Sequence, residues 1–549
     1  MYLKRKYASV IGAAFILLSS SFAVNAQTSY HDRTVPRLVV EIVVSHMRYD
    51  YLNRFTKNFS EYGFRRLMMG GVVCTNARYN YMFTQNSPGV ATLATGTQPS
   101  QHGIIGDGWI NYTTNEPISS IVDLNVMGVG CNEDEGQFSP RQMVVSTVAD
   151  ELKRHYKDSK VISIAQEPEG AILAGGYTPD EVYWFDERYG GWATSSYYKM
   201  FLPEWVQNFN KSGRKDEYAS KLWHVSRPIE EYVFQKSNAI LLDTTVKFTF
   251  DMLFKPKNKD YNRLNETPFG NSYLKDFAIE AIKNNGLGQD DIPDLLMLNF
   301  SSQKYITEYY GVESTEIEDA FYKLDQDIAE LMDYLLKTVG KDNFVVVLTS
   351  NHGSSDDVRI GSGANSGTFN AMQFKVLISG FLSAQLGQEN WVSEYRNRQI
   401  YLNRRLIFER GLSLPDIQNQ VATFSLQFGG VAQAITATTL HTNYYGRGIM
   451  QKIQNSFFPK HSGDIIINLL PGWIELPDEE SNWVTSSSGS PYEYDTHVPL
   501  LWYGANIESQ VIHRGVDMMD VAPTVCDILG IAHPNASEGT AISEIVAVL

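Results

Sequence analysis

Uninterrupted apolar runs bounded by turn-forming residues recur along this chain, alternating with stretches whose apolar positions repeat every three to four residues. Residues 38–44, 160–165, 295–300, 344–349 and 374–379 read as strands buried on both faces, the pattern of a parallel sheet. Residues 465–469 and 498–503 are weaker examples. The clearest helix spans residues 315–339. Ile317, Phe321, Leu324, Ile328, Leu331 and Leu335 share one face, and Thr315 with Glu318 is placed to form a capping box. Strands and helices in alternation predict an α/β fold: a doubly wound, mostly parallel sheet with helices on both faces. Functional loops then belong at the carboxyl ends of the strands.

Two stretches break the alternation. Residues from about 190 to 273 are rich in Tyr, Trp, Lys and Asn, and residues from about 388 to 462 mix basic, aromatic and Gln/Thr-rich sequence. Both read as inserted cap segments over the functional edge, with aromatic side chains suited to carrying a contact surface.

The amino terminus changes the picture of where the protein works. Lys4, Arg5 and Lys6 precede an apolar run, and Val24-Asn25-Ala26 forms a cleavage site before Gln27. Residues 1–26 are expected to be an export signal, leaving a single large domain at 27–549 in the periplasm or outside the cell. Losing those three basic residues takes the net charge from -16 to -19, which disfavours nucleic acid or anionic lipid as partners. Of the three cysteines, export makes a Cys74–Cys131 bridge possible, while Cys526 lies in an apolar run and reads as a small buried residue.

Candidate chemistry centres on Thr84-Gln85-Asn86-Ser87-Pro88-Gly89, followed by Thr95-Gly96, Pro99 and His102-Gly103-Ile104. Further anchors are Arg48 to Leu52, Phe300-Ser301-Ser302, Asp319 with Leu324-Asp325, Leu348-Thr349 through His352-Gly353, and Asp495 to Leu500. In this order the motifs resemble the alkaline phosphatase superfamily, in the branch that uses a threonine nucleophile and includes type I phosphodiesterases and nucleotide pyrophosphatases. The resemblance implies an α/β hydrolase fold with two zinc ions, one generating the nucleophile and one neutralising the leaving oxygen.

At the positions that this resemblance marks, the residues are of the wrong kind. The nucleophile position is Asn86, and a carboxamide is not a useful nucleophile towards phosphorus. The implied ligand positions are Ser45, Lys304, Glu308, Asn351, His352 and His497, of which only the two histidines keep the family type. Lys304 and Glu308, four apart, could pair on one helical turn. The implied phosphate-clamp positions are Glu167, Glu169 and Asp107, so two cations have become two anions and an amide has become a carboxylate. Ser87 before Pro88 reads as a helix N-cap rather than a displaced nucleophile. His46, His102, His352 and His497 are possible bases, but no nucleophile-base-acid motif accompanies them.

The expectation is an exported phosphatase-like protein without hydrolytic activity or a required metal, kept to bind an envelope protein or a small ligand. The alternative is a phosphate- or sulfate-ester hydrolase with a rearranged set, or one zinc held by Glu308, His352 and His497. A carbohydrate- or lipid-binding envelope protein is a third class.

Overall fold

The computed structural model describes residues 35–235, 248–249, 261–357, 366–476 and 484–546. The expected export signal at 1–26 lies outside them. The principal strands of its eleven-stranded sheet, in chain order, are β1 (Leu38–Val44), β2 (Val72–Arg78), β3 (Val161–Ala165), β4 (Glu181–Asp186), β5 (Asp294–Phe300), β6 (Phe344–Thr349) and β7 (His497–Gly504). Their spatial order is β2-β7-β6-β1-β5-β3-β4. β1 is central and pairs in parallel with β5 and β6, and the parallel block continues through β3 and β4. β7 runs antiparallel between β6 and β2. The apolar run at residues 498–503 is therefore a strand of this sheet but of the opposite direction to the one expected, since burial on both faces does not encode direction.

Alternation along β1 separates the two sides of the sheet. Leu38, Val40, Ile42 and Val44 join one apolar cluster, while Val39 and Val43 join another. The helices that flank the sheet and bear on the site are α1 (Asn86–Thr95), α2 (Pro168–Gly175), α3 (Phe269–Asn285), α4 (Ser302–Tyr310), α5 (Thr315–Thr338) and α6 (Ala371–Leu386). α3 and α5 cover the first side, and Ile317, Phe321, Leu324, Ile328, Leu331 and Leu335 of α5 are all buried there. Each such side chain stabilises by about 1.5–3 kcal/mol on burial, so this stripe fixes the helix to the sheet. The helical start differs from the expected capping box. Ser314 is the N-cap, its hydroxyl accepting from the Ile317 amide at 3.2 Å, while Glu318 accepts from the amides of Val233 and Phe234.

Residues 374–379, read as a strand, are the middle of α6. The Asn370 side chain caps it by accepting from the Gln373 amide, and Phe374, Ile378 and Leu382 form its buried face. A short apolar run fits helix and strand equally, and here the four-residue spacing decides. Ile465–Leu469 is a strand, but of a separate four-stranded antiparallel sheet with Val392–Arg396, Gln399–Leu402 and Val431–Thr436. That sheet packs against α6 around its own apolar cluster.

Most of the described aromatic side chains of the 190–273 stretch are spent inside. Trp192 stacks on Phe277 of α3 with centroids 4.3 Å apart, and Trp223 and Tyr232 are buried in the same cluster. They contribute to the core rather than to an outward contact surface, because α3 leaves a wide apolar face to cover. Cys74, Cys131 and Cys526 are free thiols, so the possible Cys74–Cys131 bridge is not made. Cys526 is buried among apolar residues, as expected. Among the described residues no helix is long and apolar enough to cross a membrane.

Candidate functional site

The carboxyl ends of β1, β5, β6 and β3 open onto one edge of the sheet, and each delivers a residue picked out in the sequence. Ser45 follows β1, Asn351 lies just beyond β6, Glu167 follows β3, and α4, which follows β5, carries Lys304 and Glu308 one turn apart. Asn86 begins α1 above them. Gln85, still extended, is the N-cap, and Gly96 closes the helix in a left-handed conformation with its amide on the Thr92 carbonyl. The helix therefore starts two residues earlier than expected, so Ser87 lies in its first turn and is not the N-cap. Its amide donates to Asp107 at 2.9 Å, and its hydroxyl meets that of Ser120. Gly89 sets how deeply α1 sits: a Cβ there would lie 2.1 Å from the Asn351 carbonyl oxygen. This close approach brings Asn86 and Asn351 into contact.

A chain of hydrogen bonds runs through the centre. Asn351 Nδ2 donates to Asn86 Oδ1 at 2.7 Å and to Ser45 Oγ at 3.0 Å. Asn86 Nδ2 donates to Glu167 Oε2 at 3.2 Å. Glu167 Oε1 accepts from Lys304 Nζ at 2.6 Å and from the Tyr305 hydroxyl at 3.1 Å. Lys304 thus pairs with Glu167 and not with Glu308, as the four-residue spacing had suggested, and Glu167 is no solvated loop acid. Burial alone would raise the Glu167 pKa, but the Lys304 ammonium and its hydrogen bonds hold it below the ordinary value. The same carboxylate keeps Lys304 charged despite burial.

Glu308 lacks such a partner. Burial pushes its pKa up to about 7, against the pull of Lys304, and its nearest basic group is His46 Nε2 at 3.7 Å. Both ring nitrogens of His46 are buried without a hydrogen-bond partner, and its backbone has φ 60, a left-handed value rare for such a residue. His352 Nδ1 donates to the Gly353 carbonyl at 2.8 Å, and burial lowers its pKa to about 4, so the ring is neutral with Nε2 as an acceptor. Glu169 is pushed up to about 8 by burial and by Asp107 and Glu167. His102 is buried against Thr92 and the Ile104 amide, a structural position.

Asn86, Asp107, Lys304, Glu308 and His352 together line a cavity of about 320 Å³. His497 does not join them. It stacks on Tyr49 with centroids 4.5 Å apart and its Nε2 meets the Thr75 carbonyl at 3.0 Å, so the expected ligand position at 497 is corrected to a packing role. His497 lies at the start of β7, level with the carboxyl ends of β6 and β2, but its ring is taken up by Tyr49 and Thr75 and not by the cavity. Residues not anticipated from sequence complete the wall: Gln85, Glu475, Ser488 and the hairpin tip Asn397-Arg398. Asn397 donates to the Gly108 carbonyl at 3.0 Å, and Arg398 to the carbonyls of Gly489 and Ser488 at 2.7 and 3.2 Å. Both tip residues have positive φ, as two-residue hairpins demand. Asn is usual at such a turn and was a readable signal, whereas Arg in the second place was not.

The residues present do not fit a pair of zinc ions. An ammonium occupies one implied ligand position, an amide and a hydroxyl occupy two others, and His497 lies elsewhere. Among the described residues no group of three or more His, Cys, Asp or Glu side chains could hold a metal ion.

A doubly wound sheet with the site at its parallel strands' carboxyl ends and a second sheet over it defines an alkaline phosphatase-like α/β protein. The chain belongs to the type I phosphodiesterase / nucleotide pyrophosphatase family, matched over residues 39–361. It is 32% identical over 537 residues to a protein of Myroides odoratus named a calcium-transporting ATPase, covering 96% of this chain and 97% of that one. It is 31% identical over 520 residues to alkaline phosphatase PafA of Elizabethkingia meningoseptica, covering 93% and 94%. The crystal structure of wild-type PafA superimposes with a TM-score of 0.86 at 30% identity, over 93% of this chain and 99% of that one.

Proposed function

We propose that this chain is an exported, phosphatase-fold protein that does not hydrolyse esters and is retained to bind a partner molecule at its former active-site cleft. The observation that carries this reading is the state of Asn86. Its amide stands where the family places its nucleophile, and both ends are held, by Asn351 on one side and Glu167 on the other. Such a side chain has no lone pair suited to attack at phosphorus and no freedom to turn. Around it, Glu167 and Glu169 offer no positive charge to hold a phosphoryl dianion, and the one ammonium beside them, Lys304, is paired with Glu167. Export rests on the charged, apolar and small-residue order of residues 1–26.

The rival reading is a hydrolase with a rearranged or single-metal site. Glu308 and His352 face the cavity, which favours it, while His497 stands apart. One experiment separates the two: metal content of the purified mature protein, with phosphate- and sulfate-ester hydrolysis measured in added zinc. No bound metal and no turnover are expected. Stoichiometric zinc with turnover abolished by His352→Ala would establish the hydrolase instead.

A further inference from the structure

The cavity wall is unbalanced in its hydrogen-bonding groups. Among the described residues lining it, both cations are already engaged: Lys304 with Glu167, and Arg398 with two backbone carbonyls. The Asn86 and Asn397 amide nitrogens are likewise spent on Glu167 and on the Gly108 carbonyl. Among the described lining side chains, the buried atom left with no partner is an acceptor. Gln85 Oε1 is buried with no partner. His352 is only 1% exposed, and with Nδ1 donating to Gly353 it turns an acceptor nitrogen towards the space. Asp107 has the Ser87 amide as a partner and Glu475 the Tyr395 hydroxyl and the Arg398 amide, with the Arg398 charge nearby, and neither carboxyl forms an ion pair among the described residues. Glu308 is in the same position, its closest basic neighbour lying beyond hydrogen-bond range.

Buried acceptors without donors and carboxyl groups without cations cost free energy that a ligand can recover by supplying both. An anion would worsen the imbalance. A neutral hydroxylated molecule would satisfy the acceptors but leave the carboxyl groups unpaired. A small organic cation satisfies both, and about 320 Å³ is at the lower end of small-molecule sites.

The geometry points to a binding site for a small, donor-rich organic cation, a primary ammonium or guanidinium carried on a polar scaffold. The inference rests on the reading of the cleft as non-hydrolytic and gives that cleft a ligand class. The cationic group sits between Asp107, Glu308 and Glu475, and the scaffold donates to Gln85 and His352. No bond is made or broken.

The test is calorimetric titration of the mature full-length protein with glucosamine, its neutral counterpart glucose, agmatine and inorganic phosphate. Glucosamine or agmatine should bind at least about tenfold more tightly than glucose, the factor expected of one charge-assisted hydrogen bond. Phosphate should bind least. Asp107→Asn should weaken the cationic probe about tenfold with an unchanged melting temperature. If that variant fails to fold, Glu475→Gln serves the same purpose. Equal binding of glucose and glucosamine, preference for phosphate, or no binding of either cation up to millimolar concentration overturns the inference. Ester hydrolysis in added zinc, measured on the same sample, separates the two failures. Turnover removes the non-hydrolytic reading, whereas no turnover with no cation bound leaves that reading and removes this one.

Discussion

Lys304 Nζ lies 2.6 Å from Glu167 Oε1, and the other oxygen of the same carboxylate accepts from Asn86, so one side chain links the first residue of α1 to the first turn of α4. Both partners are mostly buried, with side-chain exposures of 22% and 12%. Removing one leaves the other uncompensated, which costs more than the pair contributes. Lys304→Met should therefore destabilise by about 2–4 kcal/mol, and adding Glu167→Leu should recover a large part of that loss. Denaturant unfolding of the two single variants and the double variant checks it.

On the proposed function, a hydroxyl at position 86 should not by itself give hydrolysis. Asn86→Thr supplies that hydroxyl but leaves Lys304, Asn351 and Ser45 at the positions where the resemblance implies carboxylate ligands. No phosphate- or sulfate-ester hydrolysis above the parent is expected in added zinc. A zinc-dependent rate in this single variant would contradict the proposed function directly.

Glu41 should make stability depend on pH. It stands in the middle of β1 with one oxygen unpartnered, and burial pushes its pKa from 4.5 to about 7. The folded state holds the proton where the unfolded chain releases it, so the penalty is absent below about pH 4.5, grows as pH rises and is complete above about 7. Glu41→Gln should thus gain little at pH 5 and up to roughly 3 kcal/mol at pH 8, at about 1.4 kcal/mol for each tenfold difference in proton affinity between the two states. Thermal melts across that range give the difference.

Gly89→Ala should open the contact between α1 and the strand edge. The added Cβ would lie 2.1 Å from the backbone oxygen of Asn351, and backbone yields only at a cost of about 1–3 kcal/mol. The measurement is unfolding free energy by denaturant. An unchanged value would mean that α1 is free to slide and does not fix Asn86.

His497→Ala should leave zinc uptake and ligand binding unchanged, since the imidazole is occupied with Tyr49 and the Thr75 carbonyl outside the cavity. Loss of its hydrogen bond and stacking should lower stability by about 1 kcal/mol. Metal titration monitored alongside a thermal melt tests both halves.

Much of the site was readable because β1, β3, β5 and β6 end at one edge, and the residues following them can be counted off the sequence. Lys304, Glu308 and His352 reached the cavity for that reason, whereas Asn86 and Asp107 were marked by the motifs that carry the resemblance. His497 begins β7 at the same edge, but its ring packs on Tyr49 and meets the Thr75 carbonyl, side-chain partners that an apolar run does not encode. Arg398 and Gln85 were missed for different reasons. Arg398 comes from a turn in the second sheet, a packing of distant segments that no local pattern encodes. Gln85 passes for an ordinary polar residue, and only the fold shows that its oxygen lacks a donor. Residues 374–379 show the remaining limit, since six apolar-rich positions suit either a strand or the α6 helix that they form.

On the reading of the cleft as non-hydrolytic, the Glu167–Lys304 contact also bears on whether this lineage could change the charge pattern of its cleft. A single change of Lys304 to Asp would set two carboxylates against each other in a buried space, and a single change of Glu167 to Lys would set two ammonium groups there. Either intermediate folds less well than its parent, so the signs can be exchanged only together. Two simultaneous substitutions are rare, and the pair therefore acts as a ratchet that holds descendants of this protein to their present way of working.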